Sequence, residues 1–226
     1  MISIVLPAYN EEKNIGRMIK NVSNFFVAQS LPYEIIVADD GSKDKTLEVL
    51  GAIENLNLKI VVHEKNLGYG AALRSGFAKA KGEMIFFTDS DCQFDISDLK
   101  IFLEEIKEND FVIGYRKNRQ DPFIRKAYAQ AFRVMCRVFF GVKVKDVDCA
   151  FKLYKNYVLQ DLDLYSDGAL INLEILAKIK KRKYIFAELP VNHFKRTEGR
   201  QTGGSFKVIF KAIGQFFILW KKINIV

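Results

Sequence analysis

The segment MIFFTDSDCQ, residues 84–93, joins a short apolar run directly to two aspartates that are one residue apart. Four large apolar residues in a row are typical of a strand that is buried on both faces of a sheet. Because the chain leaves the pleat after such a strand, the carboxylates of Asp89 and Asp91 can face one point. Gln93 offers a further oxygen. Oxygen ligands of this kind are what hard divalent cations prefer, so the segment predicts a metal site.

Short β-branched runs alternate with helical patterns on both sides of this segment. Strands are predicted at Ile2–Leu6, Glu34–Ala38, Lys59–Val62, Met84–Thr88 and Phe111–Ile113. Helices are predicted at about 13–29, 44–54, 70–80 and 97–107. The alternation predicts an α/β fold with a mostly parallel, Rossmann-like sheet and helices on both faces. Ligands of such sheets bind beyond the carboxyl ends of the strands.

Polar segments follow each of the first four predicted strands. They are PAYNEE at 7–12, DDGS at 39–42, NLGYGAA at 66–72 and DSDCQ at 89–93. Each segment alone is equally typical of a helix cap or a turn. Four of them at one edge of a sheet indicate a binding site, where Asp39 and Glu11 can accept hydrogen bonds from a base or a ribose.

The glycine-rich segment after the third strand differs from the known phosphate-binding loops. Its spacing and position do not fit a Rossmann fingerprint, and the chain contains no P-loop motif. Gly68 and Gly70 instead allow the backbone to approach a ligand or a neighbouring strand closely.

The composition of the 226 residues is that of an ordinary globular protein, with 49% hydrophobic and 27% charged residues. The net charge of +8 favours an anionic partner such as phosphate, nucleic acid or an anionic membrane surface, and a solubilising surface charge is the alternative. Three widely spaced cysteines indicate neither a disulfide framework nor a zinc knuckle. Since the chain opens directly into an apolar strand without signal-peptide features, we expect a cytoplasmic setting.

Taken in order, the four strand-end motifs resemble those of the family 2 inverting glycosyltransferases, and in particular the dolichyl- and polyprenyl-phosphate sugar synthases. The segments GYR at 114–116, DVDCAFK at 146–152 and RQTGGS at 200–205 resemble later motifs of that subgroup. The resemblance implies the glycosyltransferase A fold, a nucleotide diphosphate sugar donor such as GDP-mannose or a UDP-hexose, and Mg²⁺ or Mn²⁺. It also implies inversion by single displacement and a polyprenyl or dolichyl phosphate acceptor.

The resemblance also assigns expected roles to individual residues. The expected metal ligands are Asp89, Asp91 and Gln93. The expected nucleotide-sugar-binding residues are Pro7, Tyr9, Glu11, Asp39, Asp40, Gly68, Asp89, Ser90, Asp91 and Lys207. The expected catalytic residues are Asp89, Asp91, Arg116, Asp148 and Arg200, with Arg116 and Arg200 meeting phosphate. Ser90 stands where the family usually has Ala, and Phe206 stands where a Lys commonly follows, which leaves the identity of the phosphate-binding lysine open.

Two amphipathic stretches in the second half predict contact with a lipid surface. In Phe123–Phe140, the basic residues Arg125, Lys126, Arg133 and Arg137 fall on one side of a helix. Apolar residues, Val134 and Val138 among them, fall on the other. A solvated basic face is the alternative. In Phe206–Val226 the longest charge-free run, Ala212–Trp220, is too short to span a bilayer. This segment is predicted to lie at a membrane interface or to pack on its own domain.

The predicted organisation is a catalytic domain at 1–205, with a donor half at about 1–115 and an acceptor half at 116–205, followed by the amphipathic segment 206–226. A phosphate acceptor is largely ionised near neutral pH and needs no strong base, whereas a hydroxyl acceptor does. Asp148 and Glu174 are the candidate bases, although Glu174 is also spaced to pair with Lys178. Structural roles are expected for His63 and His193, of which His193 is the better placed to touch phosphate.

Several functions remain open at this point. The leading hypothesis is a peripheral enzyme on the cytoplasmic face of a membrane, with no nucleic-acid partner and with a membrane-anchor partner or a homo-oligomer as further possibilities. A saccharide or other hydroxyl acceptor is the first alternative. A sugar nucleotidyltransferase and a catalytically dead membrane-binding module are the others.

Overall fold

The computed structural model describes residues 1–117, 123–199 and 206–224, with the side chains of 123–128 and 206–213 left out. The strands are β1 (Ile2–Ala8), β2 (Tyr33–Asp39), β3 (Leu58–Val62), β4 (Met84–Thr88), β5 (Phe111–Lys117), β6 (Phe151–Lys155) and β7 (Phe186–Asn192). The helices are α1 (Ile15–Ala28), α2 (Thr46–Gly51), α3 (Tyr69–Lys79), α4 (Leu99–Glu105), α5 (Phe123–Phe140), α6 (Asn156–Gln160), α7 (Ile171–Lys180) and α8 (Phe206–Asn224). A 3-10 turn at Ile96–Asp98 precedes α4.

The strands form one seven-stranded sheet in the order β3-β2-β1-β4-β6-β5-β7. Among the described strand pairs, only those of β6 with β4 and with β5 are antiparallel. The chain runs outward from β1 to β2 and β3 on one side and places β4 on the other. The order of strands therefore reverses beside β1, which is where ligands of such sheets bind. The predicted mostly parallel sheet is confirmed.

Strand β1 shows why the sheet needs helices on both faces. All of its residues are buried, and successive side chains point to opposite faces, so both faces must be covered. On α3, a Cβ at Gly76 would lie 2.3 Å from Cγ1 of Val5, so this helix packs directly against β1. Helix α1 buries one apolar stripe with helical periodicity, at Ile15, Met18, Ile19, Val22 and Phe26.

The second half of the chain completes the sheet in a way that the sequence patterns did not predict. Strand β5 extends from the predicted Phe111–Ile113 to Lys117, because β7 pairs with it in parallel along its whole length. Strands β6 and β7 were not predicted. The sequence of β6, FKLYK, does not show the pattern of a buried strand, because the charged Lys152 is at a fully buried position.

The two C-terminal amphipathic helices pack against each other. Phe216 of α8 is buried, with ring contacts to Phe132, Phe139 and Phe140 of α5, and the indole nitrogen of Trp220 donates to the carbonyl of Phe139. The alternative that the C-terminal helix packs on its own domain is thereby confirmed for one of its faces. None of the described helices combines the length and hydropathy that crossing a membrane requires.

The apolar side of α5 differs from its predicted form. The residues that face the core are Phe132, Met135, Cys136 and Phe140. Val134 and Val138, which were placed on the same apolar side, are exposed next to Arg133 and Arg137. Among the described side chains of α5, the buried stripe is therefore narrower than predicted. Arg125 and Lys126 lie outside the described side chains.

Candidate active site

The carboxyl ends of β1, β2 and β4 bring the predicted donor-site residues to one edge of the sheet. Ala8 is the register partner of Asp39, and β4 ends one residue before Asp89. The hydroxyl of Ser90 donates to the carbonyl of Pro7 at 2.7 Å, which ties the Asp89–Asp91 segment to the end of β1. Ser90 is thus placed to fasten the loop that carries the two aspartates.

Asp89 and Asp91 lie in surroundings that disfavour their negative charge. Burial, followed by the charge of Asp91, raises the pKa of Asp89 to about 7. Burial also raises the pKa of Asp91. Two carboxylates that share a site of low polarity are stabilised when a cation joins them. The two carboxylates are therefore chemically suited to bind a divalent cation.

The loop around Asp91 turns back on itself. The backbone N–H of Gln93 donates to Asp91 Oδ1 at 3.1 Å, and Cys92 adopts a left-handed conformation with a φ of 58°. The side-chain nitrogen of Gln93 donates to the carbonyl of Phe194 at 2.7 Å, so its amide is already held in the protein. Its role as a metal ligand stays a prediction.

Within the described residues, no group of three or more His, Cys, Asp or Glu side chains could hold a metal ion. Mg²⁺ is commonly bound by one or two carboxylates together with substrate phosphates and water. The pair at the end of β4 matches that mode of binding.

Arg196 is a functional candidate that the sequence patterns did not single out. Its Nη2 donates to both carboxylate oxygens of Glu11, at 2.6 and 2.8 Å, and its Nη1 lies 3.6 Å from Asp91 Oδ2. The guanidinium thus joins the loop after β1 to the loop after β4. A fixed cation beside Asp91 is suited to an anionic ligand that binds at this edge.

The segment 194–199 that carries Arg196 lies across the start of α1. Lys13 pairs with Glu198 at 3.4 Å, and Arg17 donates to the hydroxyl of Thr197 at 3.3 Å. Both contacts are exposed, and exposed contacts of this kind contribute about 0–1 kcal/mol each. The segment is therefore held beside the ends of β1 and β4 by the ion pair of Arg196 with Glu11 and by the hydrogen bonds between Phe194 and Gln93.

Arg116 and Asp146 form an ion pair at the β5 side of the site. Nε and Nη2 of Arg116 donate to the two carboxylate oxygens of Asp146 at 2.7 and 2.8 Å. Burial by itself would lower the pKa of Arg116, but the hydrogen bonds to Asp146 raise it. Asp148 follows two residues later and is exposed between the buried residues Val147 and Cys149. The turn before β6 thus presents one carboxylate to the outside.

The two aspartates after β2 make different contacts. Both carboxylate oxygens of Asp39 accept from Ser42, one from the backbone N–H and one from the hydroxyl. Asp40 accepts from the backbone N–H groups of Leu67 and Gly68 at 2.8 Å each, and its Oδ1 lies 2.8 Å from Nδ1 of His63. These contacts show that Asp40 holds the loop before α3, and its predicted contact with the nucleotide sugar stays a prediction.

The glycines of that loop permit close backbone approach, as predicted. Gly68 has a φ of 112°, and a Cβ there would lie 2.3 Å from the carbonyl oxygen of Asp167. A Cβ at Gly70 would lie 2.2 Å from the carbonyl oxygen of Ser166. The approaching partner is the loop before α7, which is part of the protein.

The remaining predicted residues fall into three groups. Glu174 is buried, accepts from the backbone N–H groups of Tyr165 and Ser166, and pairs with Lys178 at 2.8 Å. The pairing predicted from its spacing is confirmed, and its position supports a structural role. His63 bridges Asp40 and Ser75, in line with the structural role expected of it. Tyr9 is half-buried after β1, while Arg200 and the side chain of Lys207 lie outside the described residues.

The chain combines an α/β fold with an acidic pair at the carboxyl edge of its sheet. Comparison with known proteins gives the family. Residues 3–163 match the family model described as Glycosyl transferase family 2, and the chain belongs to this family.

Two curated relatives are similar over most of the chain. The dodecaprenyl-phosphate galacturonate synthase of Rhizobium johnstonii is 30% identical over 228 residues, covering 96% of this chain and 67% of the relative. The undecaprenyl-phosphate 4-deoxy-4-formamido-L-arabinose transferase of Aeromonas hydrophila is 30% identical over 213 residues, covering 92% of this chain and 64% of the relative. The chain therefore spans about two thirds of the length of these relatives.

Solved structures of glucosyl-3-phosphoglycerate synthase from Mycobacterium tuberculosis share the fold. The complex of that enzyme with Mn²⁺, uridine diphosphate and glucosyl-3-phosphoglycerate has a TM-score of 0.77 and 20% identity, covering 99% of this chain and 79% of that one. The complex with Mg²⁺ and uridine diphosphate also has a TM-score of 0.77 at 20% identity, covering 97% and 79%. The predicted glycosyltransferase A fold is confirmed.

The raised pKa of Asp89 predicts how the stability of the metal-free protein depends on pH. Because this pKa rises on folding from 3.8 to about 7, the folded state binds more protons than the unfolded state between those values. The free energy of unfolding should therefore fall as the pH rises through this window, by up to about 1.4 kcal/mol per pH unit. Denaturant unfolding in EDTA at a series of pH values measures the slope.

Asp89→Asn should remove this contribution to the slope, and Asp163→Asn, at an exposed aspartate, should keep it. Equal slopes in wild type and Asp89→Asn would contradict the proposed burial of charge.

Proposed function

We propose that the chain transfers a sugar from a nucleotide diphosphate sugar to a polyprenyl phosphate, with Mg²⁺ or Mn²⁺ held by Asp89 and Asp91. The observation that carries this proposal is the half-buried carboxylate pair at the carboxyl end of β4, with Arg196 3.6 Å from Asp91. The names of the two curated relatives support the choice of acceptor, since each includes a polyprenyl phosphate.

The order of the strands arranges the proposed parts along one edge of the sheet. Asp39 follows β2, Glu11 follows β1, and the metal pair follows β4. The turn with Asp148 precedes β6, and Arg116 lies near the end of β5. Since the strand order is β2-β1-β4-β6-β5, the nucleoside, the diphosphate and the acceptor would follow one another across the edge.

The donor side of this arrangement stabilises the leaving group. When bound, the metal would offset negative charge on the departing nucleoside diphosphate as a Lewis acid. Arg196 supplies a fixed positive charge at the same place, already oriented by Glu11. Pro7, Tyr9, Glu11 and Asp39 are placed at the strand ends where a nucleoside would bind. Preorganised charges of this kind reduce the barrier more than flexible ones do.

The acceptor side requires positioning more than proton removal. A phosphate monoester has a second pKa of about 6 and is therefore already a nucleophile near neutral pH. Arg116 lies on this side with its guanidinium oriented by Asp146. A hydroxyl acceptor is the second candidate, because it would require a general base and Asp148 is an exposed aspartate in the turn before β6.

We propose that the surface formed by α5 and α8 binds the cytoplasmic face of an anionic membrane. Exposed apolar residues lie on both helices, namely Val134 and Val138 on α5 and Phe217 and Ile218 on α8. Exposed basic residues accompany them, namely Arg133, Arg137, Lys221 and Lys222. A surface that combines apolar and basic side chains is typical of peripheral binding, in which lysines and arginines reach the headgroups.

A transfer assay tests the reaction. Purified protein is incubated with radiolabelled GDP- and UDP-sugars, undecaprenyl phosphate, and either Mn²⁺ or EDTA. We expect a lipid-extractable product with one donor, because the relatives are similar over nearly the whole chain. Asp91→Ala should reduce transfer at least about 100-fold, since it removes a charged group from the leaving-group site.

Glu108→Gln, at an exposed carboxylate, serves as the control and should retain wild-type transfer. Undiminished transfer by Asp91→Ala, or in EDTA, would contradict the metal role. A parallel assay replaces undecaprenyl phosphate with saccharide acceptors. Transfer to these acceptors and none to undecaprenyl phosphate would favour the second candidate.

Sedimentation with lipid vesicles tests the membrane surface. Wild type should bind phosphatidylcholine vesicles more tightly when they contain phosphatidylglycerol. Each basic residue near such a surface contributes about 1 kcal/mol, so Arg137→Gln and Lys221→Gln should each weaken binding about fivefold. Lys79→Gln, at an exposed lysine of α3, should bind like wild type. Equal binding by all three variants would show that this surface is not the one used.

A further inference from the structure

Lys152 on β6 is a buried cation that the proposed reaction leaves without a role. Its side chain has no exposed area. Its ammonium donates to the backbone carbonyls of Val147, at 3.1 Å, and of Cys149, and to Oδ1 of Asn172 at 2.8 Å. All three N–H groups of the ammonium are therefore used, and each one reaches a neutral oxygen.

A buried ammonium with only neutral partners destabilises the folded state relative to a neutral side chain. Removing an ammonium from water costs several kcal/mol, and neutral hydrogen-bond acceptors return only part of it. Among the described residues, no carboxylate oxygen forms an ion pair with Lys152 within 4.0 Å. Burial accordingly lowers the pKa of Lys152. A neutral side chain of similar size would pack here at less cost, so stability does not account for the charge.

The two carbonyls that Lys152 binds lie on either side of Asp148. Val147 and Cys149 turn their side chains into the core, and Asp148 between them is exposed. One residue before Val147, Asp146 is held by the two hydrogen bonds from Arg116. The turn is thus held at residues 146, 147 and 149, which lie on both sides of Asp148.

This turn lies between the two other parts of the proposed site. Lys152 is the register partner of Phe87, and Phe151 that of Thr88, the last residue before Asp89. Since β6 lies between β4 and β5, the turn that precedes it lies between the metal pair and Arg116. The charge of Lys152 also acts on Asp89, whose pKa it lowers against the larger effect of burial.

We propose that Lys152 is a positioning residue for sugar transfer, which fixes the carboxylate of Asp148 at the acceptor side by holding the carbonyls of Val147 and Cys149. This inference rests on the proposed function. In this proposal the charge of Lys152 holds the turn in place, and Asp148 contacts the reacting groups.

Kinetics of three variants test this role, with the donor that wild type uses and with undecaprenyl phosphate. Lys152→Met removes the charge at similar length, and Lys152→Arg keeps it. A displacement of a catalytic group by about 1 Å can reduce the rate 100-fold. Lys152→Met should therefore lower kcat about 100-fold and leave the KM for the donor within about threefold of the wild-type value. Lys152→Arg should restore at least a tenth of the wild-type kcat. Lys155→Met, on the same strand at the opposite edge of the sheet, should behave like wild type.

A double variant separates positioning from a general effect on the fold. If Lys152 acts through Asp148, Lys152→Met combined with Asp148→Asn should be no slower than Asp148→Asn alone. Amide hydrogen exchange should rise in Lys152→Met within residues 145–150 and nowhere else in the sheet, with the melting temperature maintained. These results together would support the proposal.

Three results would overturn the proposal. The first is an unchanged kcat in Lys152→Met. The second is a double variant in which the losses of kcat caused by the two single substitutions add fully. The third is a lower melting temperature of Lys152→Met together with equal effects on its kcat and KM. If wild type transferred no sugar from any donor, the proposed function would fail, and hydrogen exchange would still decide whether Lys152 fixes the turn. Unchanged exchange at 145–150 would then refute it.

Discussion

The partial burial of Asp89 beside Asp91 at the end of β4 is the constraint on which the rest of the site depends. Burial raises the pKa of both carboxyl groups, because negative charge in a site of low polarity has little solvation. Positive groups approach the pair from other parts of the chain, with Arg196 at 3.6 Å from Asp91 and Lys152 one strand away. The site therefore favours a ligand that brings a cation and an anion together, as a metal-bound diphosphate does.

The positively charged residues near Asp89 and Asp91, Arg196 and Lys152, belong to the second half of the chain, which is part of the same sheet. Strand β6 inserts antiparallel between β4 and β5, so the turn before it meets the carboxyl ends of its neighbours. After β7 the chain returns over the start of α1, where Arg196 reaches Glu11. The residues proposed for the donor and for the acceptor thus lie at one edge of the sheet.

Much of the donor side could be predicted from the sequence, because apolar runs that end in polar residues report both the strands and the edge at which they meet. The pairing of Glu174 with Lys178 followed from helical spacing. Strand β6 was missed because buried lysines are rare, so Lys152 made its sequence look exposed. Arg196 was not singled out because its partner, Glu11, is 185 residues away. Asp39 and Asp40 are adjacent, and only the fold shows that Asp40 binds the loop before α3.

The central claim is that the carboxylates after β4 hold a metal and the diphosphate of the donor. Anomalous diffraction from crystals grown with Mn²⁺ and a nucleoside diphosphate measures this directly. We predict one manganese peak that contacts the carboxylate of Asp91 and an oxygen of the diphosphate, with the guanidinium of Arg196 beside the phosphates. A bound nucleotide with no manganese peak at Asp89 and Asp91, or with its diphosphate at another edge of the sheet, would contradict the claim.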